Sequence, residues 1–375
     1  MLTQDCDRSR SAKRLNSLSL DELFENWGIT QVRLISGLDI IGIPVYSAYR
    51  PNAISISVYA GKNEDPALAR AGAIAEAIEY ATFEAPPEEV AWGKFSDYDR
   101  IPISNCFEGF KEIPLTAATR VYDNTKRLLP AHLFTLSDLG VPRIANSFQR
   151  NSSGQAVGPS FADALLAGLY ECIERDAITL WSNSARDNDY YPRRLKEFGA
   201  GPERLSQKIR EAGLNCFLFD ARAEFFVPVV FCVITENSPS GYLCSGWGTD
   251  LDLTAAQAKA ILEAAQSRAT FISGARDDIK KSHFELFKAQ DTRETTKAIL
   301  AQPFSGYGGM DLSDKSASAK LGLLCRLLGH WWKHVYIQAR KLAFNLCAVK
   351  SFILGLEQPL SEDWVSNGRR LWLGR

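Results

Sequence analysis

Glu171, Glu174 and Arg175 sit close together in GLYECIERDAITLW, and Asp163 precedes Glu171 by eight positions. At ~100° per helical residue, Asp163 and Glu174 project within about 20° of each other, and Glu171 lies about 60° from Glu174. Three carboxylates therefore line one flank of a single helix, with Arg175 and Asp176 beside them. Glu76 and Glu79 stand at i,i+3 in EDPALARAGAIAEAIEYATFE and point from one face of a second helix. A third helical segment carries Lys259, Glu263, Gln266 and Arg268. Carboxylates gathered from several helices suit the holding of hard divalent cations, and Mg2+ takes oxygen ligands that it usually shares with substrate phosphates. Interspersed Lys and Arg would neutralise the phosphate oxygens. One ExxER alone is ordinarily a solvated ion pair. Three such helices, each preceded by a Gly-containing loop, point to a Mg-nucleotide site.

The surrounding sequence supplies the elements that must position these side chains. SLDELFENWG has the Ser and Glu spacing of a capped helix, and ITQVRLI, IIGIPVYSAYR and AISISVYAG are β-branched runs broken by Gly and Pro. The helix containing Glu76 and Glu79 follows the turn AGKNEDP and stops before Pro86 and Pro87. NSFQRNSSGQAVG reads as a loop feeding the helix of Glu171, whose apolar stripe is Ala162, Leu166, Leu169, Ile173, Ala177 and Leu180. RLSQKIREAG predicts a helix, and NCFLFDA, FFVPVVFCVIT and GYLCSGWG predict strands. SGWGTDLD leads into a helix over 254–272. This alternation predicts an α/β (α+β) fold with mixed sheets, organised as one domain over 29–375 behind an N-terminal extension, 1–28.

Composition excludes several classes. The net charge of -1 lacks the basic excess that non-specific phosphate-backbone binding needs, so nucleic acid is not expected. The start of the chain is polar and no apolar run approaches the ~20 residues of a membrane span, which predicts a cytoplasmic protein without a membrane partner. The eight cysteines are scattered without a CxxC pair and are expected to be reduced. No GxxxxGK[ST] occurs, SGWGTDLD has only part of a dinucleotide fingerprint, and the kinase motifs are missing. In HWWKH, His330 and His334 stand at i,i+4 with no third ligand, which reads as core and surface rather than a metal site. Neither His132 nor His283 has the context of a hydrolase triad.

At these motifs the chain resembles the YcaO superfamily of ATP-dependent enzymes that activate peptide backbone amides. The segment from GLDIIGIPVYSAYR to AIAEAIEY is similar to a family region with a GKG turn and a SxxxExxE helix. NSSGQAVGPSFADALLAGLYECIERDA is similar to a SNGxAxG loop and an ExxERDA helix. GWGTDLDLTAAQAKAILEAAQSRATFISGARDDI is similar to a motif in which ExxQxR precedes GxRDD. The first segment and ILGLE look most like the subgroup associated with TfuA proteins. Departures from the family pattern are Gly72 for Ser, Asn63 for the last Gly of GKG, Ser153 for Asn, Pro159 for a frequent Asn, and Asp163 for Glu. Asp250 stands for His and Leu354 for Pro, while Tyr80 matches the aromatic common in the subgroup.

The resemblance implies ATP and Mg2+ as cofactors. It implies Glu76, Glu79, Asp163, Glu171, Glu174 and Glu263 as metal ligands, and Lys62, Glu76, Glu79, Glu171, Glu174, Arg175, Glu263, Gln266 and Arg268 as ATP-binding residues. Glu174, Arg175 and Arg268 form the implied catalytic set. The implied reaction adds a nucleophile to an amide carbonyl, transfers the γ-phosphoryl group of ATP to the resulting oxyanion and expels phosphate. The TfuA-like subgroup and the C-terminal NGRRLWLGR, which is not proline-rich, favour thioamide formation in a ribosomally made peptide or protein, assisted by a TfuA-like protein. The alternatives are an azoline-forming cyclodehydratase and a non-catalytic homologue that binds a peptide or scaffolds a complex. A homodimer is left open by the sequence.

Overall fold

The computed structural model describes residues 8–94, 111–142, 150–184, 193–196, 198–222, 226–238, 241–279, 281, 292–305 and 308–356. Chain contacts divide into two compact units, 8–77 with 187–315, and 78–186 with 316–375, each described below through these residues.

The unit of 8–77 and 187–315 opens with helices α1 (Arg8–Ser17) and α2 (Leu20–Trp27). In α2 the Ser19 side chain accepts from the Glu22 amide, the Glu22 carboxylate accepts from the Ser19 amide, and Gly28 closes the helix in the left-handed conformation. This is the capping box that the sequence predicts. Strands β1 (Gln31–Leu34), β2 (Val45–Tyr49) and β3 (Val58–Lys62) form an antiparallel sheet in that order. Helix α3 (Pro66–Glu84) follows, with Pro66 in its first turn and the Asp65 carboxylate accepting from the Ala67 amide. Its residues through Ala77 belong to this unit and those from Ile78 to the other.

Gly61 is where β3 meets α3. A Cβ there would lie 2.1 Å from both the Ala69 carbonyl oxygen and the Ala73 nitrogen, so only glycine permits the approach. The sequence reads AGKNEDP as a turn; the structure instead places Gly61 and Lys62 at the end of a strand, and the turn begins at Asn63.

The same arrangement recurs in the larger sheet of this unit. Strands β8 (Arg193–Leu195), β9 (Asn215–Asp220), β10 (Val229–Thr235), β11 (Leu243–Thr249) and β12 (Phe304–Ser305) lie in the order β11-β10-β9-β8-β12. Helices α5 (Ala200–Glu211) and α6 (Leu253–Ser273) share a core with it that includes Leu205, Ile209, Leu218, Val230, Ile234 and Ile261. Helix α7 (Thr292–Leu300) completes the unit. The predicted helix over 254–272 is thus extended by one residue at each end, between an N-cap at Asp252 and a left-handed Gly274. SGWG is the end of the strand that GYLCSGWG predicts, so no Gly-containing loop precedes α6 there. A Cβ on Gly246 would lie 2.2 Å from the Ala264 nitrogen, and one on Gly248 2.2 Å from the Ala256 carbonyl oxygen. These glycines bring β11 onto α6; they do not form a loop that cradles phosphate.

In the other unit, β4 (Ala91–Lys94), β5 (Glu112–Arg120), β6 (Lys126–Pro130), β7 (Gln155–Gly158), β13 (Val335–Lys341) and β14 (Cys347–Ile353) form a sheet in the order β4-β5-β13-β14-β7, with β6 on β5. Helices α4 (Phe161–Ser184) and α8 (Ala317–Leu328) belong to it. The stripe predicted for α4 is buried at Ala162, Leu166, Leu169, Ile173 and Ala177, while Leu180 is half-buried. QAVG is a strand, so the predicted loop before α4 contracts to a turn ending at Gly154 and a short link of Pro159 and Ser160. HWWKH is a 3-10 turn over 329–334, not an α-helix. At three residues per turn, i and i+4 no longer share a face; His330 is exposed and Trp331 is buried. His283, Cys6, Cys106 and NGRRLWLGR lie outside the described residues. The six described cysteines are free thiols.

Candidate functional site

The predicted residues fall into two clusters, one in each unit. In the first, Glu76 reaches back from α3 to β3, where its Oε2 accepts from the Ala60 amide at 2.9 Å. Burial raises the Glu76 pKa, and Lys62, the Ala60 amide and Arg276 oppose the rise. Lys62 Nζ stands 3.4 Å from Glu263 Oε2, with both side chains partly exposed. One helical turn along α6, Gln266 has a buried Oε1 without a hydrogen-bond partner. Arg268 is differently placed. Its Nε donates to Asp39 Oδ1 at 2.9 Å and its Nη1 to Glu236 Oε1 at 2.7 Å, beneath the Tyr242 ring. Burial works against the Arg268 charge, yet Glu236 and Asp39 more than offset it and hold the guanidinium ionised. Asp250, at the position implied for His, is buried and paired with Lys259 at 2.8 Å.

The second cluster is built around the turn 151–154 and α4. Gly154 adopts φ +77°, and a Cβ on it would lie 2.1 Å from the Ser351 carbonyl oxygen. Its amide donates to Glu171 Oε2 at 3.1 Å and its carbonyl accepts from the Ser351 amide at 2.7 Å. Glu171 Oε1 accepts from Arg175 Nη2 at 3.2 Å, and Arg175 Nη1 lies 3.9 Å from Glu174 Oε1. Burial raises the Glu171 pKa against the opposing charges of Arg175 and Lys350. Asp163 is engaged at the start of α4, where Ser160 Oγ donates to its Oδ2 at 2.6 Å and accepts from its amide. Ser153, at the position implied for Asn, donates its amide to Asn151 Oδ1 at 3.0 Å, so an asparagine does cap this turn two residues earlier.

Sequence reasoning missed Lys350. It lies on β14 with 2% of its surface exposed, and its Nζ donates to the Asn151 carbonyl at 2.6 Å. Burial brings its pKa down to about 8, while Glu171, Cys172 and Glu79 favour the charged form. The signal was available, because a lysine interrupts the apolar run LCAVKSFIL and lysine is almost never fully buried without a partner. The neighbouring thiol of Cys172 is pushed up to about 12 by burial and by Glu171, which keeps it protonated and inert.

The donor chemistry fits Mg2+ bound with a nucleotide. Each cluster presents carboxylates, the first together with the Gln266 amide oxygen, and burial of Glu76 and of Glu171, each within its own unit, removes hydration that a bound cation would replace. Among the described residues no three His, Cys, Asp or Glu form a group able to hold an ion by themselves.

The family model described as YcaO cyclodehydratase, ATP- and Mg2+-binding, matches residues 60–328. This chain belongs to the YcaO family. An uncharacterised protein in the tfuA 3' region of Rhizobium leguminosarum bv. trifolii is 30% identical over 279 residues, 68% of this chain and 64% of the relative. An uncharacterised protein of Methanothermobacter thermautotrophicus is 32% identical over 277 residues, 68% of this chain and 70% of the relative. The chain thus spans under two thirds of the Rhizobium relative. Among solved structures, YcaO from Methanopyrus kandleri bound with AMPPCP and Mg2+ matches with a TM-score of 0.70 at 19% identity, covering 93% of this chain and 92% of that one. The E. coli microcin synthetase McbBCD complex with pro-MccB17 bound matches at 0.64 and 14% identity, covering 91% and 94%. These likenesses establish the YcaO fold. No helix among the described residues is long and apolar enough to cross a membrane.

Proposed function

We propose that this YcaO chain uses Mg-ATP to activate a peptide backbone amide, and that the product is a thioamide in a ribosomally made peptide or protein, formed with a TfuA-like partner. The observation that carries the reading is the relative in a tfuA 3' region, set beside acidic clusters on α3, α4 and α6. An amide oxygen is a poor leaving group. Attack of hydrosulfide on the carbonyl carbon gives an oxyanion, and the oxyanion takes the γ-phosphoryl group and releases ADP; the carbon–oxygen bond then breaks to expel phosphate while the sulfur gives up its proton to solvent or phosphate, leaving the C=S bond of a thioamide.

In this reading Glu76, Glu79, Asp163, Glu171, Glu174 and Glu263 are the metal ligands, and bound Mg2+ supplies charge neutralisation at the transferring phosphoryl group. Lys62, Arg175 and Gln266 bind phosphate and nucleotide. Arg175 is suited to this task because its guanidinium already lies against Glu171 and Glu174 and keeps a third of its surface exposed. Arg268, held by Asp39 and Glu236, enters as the residue that fixes α6.

Purified protein with its TfuA-like partner should release phosphate only when peptide, sulfide and ATP are all present, with a product in which sulfur replaces oxygen. Loss of one water instead would identify an azoline-forming enzyme. Glu174→Ala should lower turnover by about 10³-fold or more. Unchanged function in that variant would identify a non-catalytic homologue.

A further inference from the structure

The turn 151–154 is held from two sides, and two of the holding groups, Lys350 and Ser351, lie outside the family motifs quoted above. Lys350 Nζ binds the Asn151 carbonyl at one end of the turn, and at the other the Gly154 amide binds Glu171 while its carbonyl binds the Ser351 amide. Glu171 is therefore oriented by the backbone of a turn that Lys350 secures. The cross-strand neighbour of Lys350 in the β7–β14 register is Gln155, which shares its face of the sheet. Gln155 is 3% exposed, and neither its Oε1 nor its Nε2 has a hydrogen-bond partner. Two polar side chains thus occupy adjacent interior positions of the sheet, and a third, Gln338 on β13, stands opposite Lys350 on its other side and donates to Thr116 and the Ala117 carbonyl. Fold stability alone would be served as well or better by hydrophobic residues of similar volume. An interior ammonium next to carboxylates has a different use, which is to fix their position and balance their charge before a ligand arrives.

We propose that Lys350 is a positioning residue for the Mg-ATP site, securing the turn 151–154 so that Glu171 is presented in a fixed orientation beside an internal cation. The inference rests on the Mg-ATP reading above for its ligand, but the tie between Lys350 and the turn is independent of it. In the full-length protein, Lys350→Met should fold with a lowered melting temperature, because it leaves the Asn151 carbonyl without its donor and Glu171 without its interior cation. It should weaken Mg-ATP binding, measured calorimetrically, by about tenfold or more, and speed hydrogen exchange at the Gly154 amide of the nucleotide-free protein by about tenfold. Lys350→Arg, which keeps the charge, should recover most of the affinity. Lys350→Gln, which keeps a donor for Asn151 and drops the charge, should retain slow exchange at Gly154 but not the affinity. If Lys350→Met does not fold, the Arg and Gln variants carry the comparison.

Wild-type affinity in folded Lys350→Met, or equal affinity in the Arg and Gln variants, overturns the role in the site. Unchanged Gly154 exchange in Lys350→Met overturns the tie to the turn. If the wild-type protein binds no Mg-ATP, the functional reading fails, and the exchange measurement alone decides whether Lys350 secures the turn.

Discussion

Glu76 and Glu171 use one device in two settings. Each projects from a helix back to the strand or turn before it and accepts a backbone amide, Ala60 sixteen residues earlier in one case and Gly154 seventeen residues earlier in the other. Burial raises both pKa values. The compensating cations differ. Glu76 depends first on Lys62, which is partly exposed and is shared with Glu263. Glu171 has Arg175 beside it and the interior Lys350 behind it. The first carboxylate is therefore screened by a partly exposed charge that a second acid shares, and the second by a charge held inside a sheet. An acid on a helix says little about its task until the source of its compensating charge is known.

The largest effect expected from perturbing this pair is at the glycines that let each helix approach. Gly61→Ala and Gly154→Ala each place a methyl 2.1 Å from backbone oxygen, and Gly154 adds a left-handed φ. Each should cost upward of about 4 kcal/mol and abolish folded yield. Gly72→Ser is the contrast. Its Cβ would rest 3.5 Å from the Gly61 Cα, an ordinary contact, so restoring the residue implied by the family pattern should leave the melting temperature within a few degrees. If Gly72→Ser unfolds the protein while Gly61→Ala does not, the packing of β3 on α3 is misassigned.

A smaller effect separates the two acids directly. Glu171→Gln removes a countercharge of the interior Lys350, whereas Glu76→Gln faces a lysine that is partly exposed, so the first should cost more stability than the second. Chemical denaturation of the two variants side by side checks this, and equal losses would erase the distinction. The smallest change is at Lys62→Met. With the Lys62–Glu263 pair about 70% buried on each side, stability should move by less than about 1 kcal/mol, and any larger consequence should appear in nucleotide affinity instead.

Much of this organisation was legible in the chain. Ser19 and Glu22 mark a helix start because capping is local chemistry, and Asp252 and Gly274 bound α6 for the same reason. The acids of α3, α4 and α6 were legible because helical spacing puts them on shared flanks. What escaped was set by distant pairing. The need for glycine at Gly61, Gly246 and Gly248 was hidden, since nothing in the sequence shows that a helix backbone lies where their side chains would be. Arg268 reads as an ATP-site residue, and its ion pair with Asp39, 229 residues away, leaves no mark in the local sequence. Lys350 belongs to the same class, because its partner Asn151 is 199 residues away and contributes only a carbonyl.

The contact of β11 with α6 carries one more consequence. Glu263 and Gln266 sit where they do because Gly246 and Gly248 contribute no atoms at the crossing, where a single methyl would meet the helix backbone at 2.2 Å. A saturation scan scored only by product formation would therefore rank these two spacers with the acidic ligands. Recording soluble yield for every variant in the same experiment would sort the silent residues from those that touch the nucleotide.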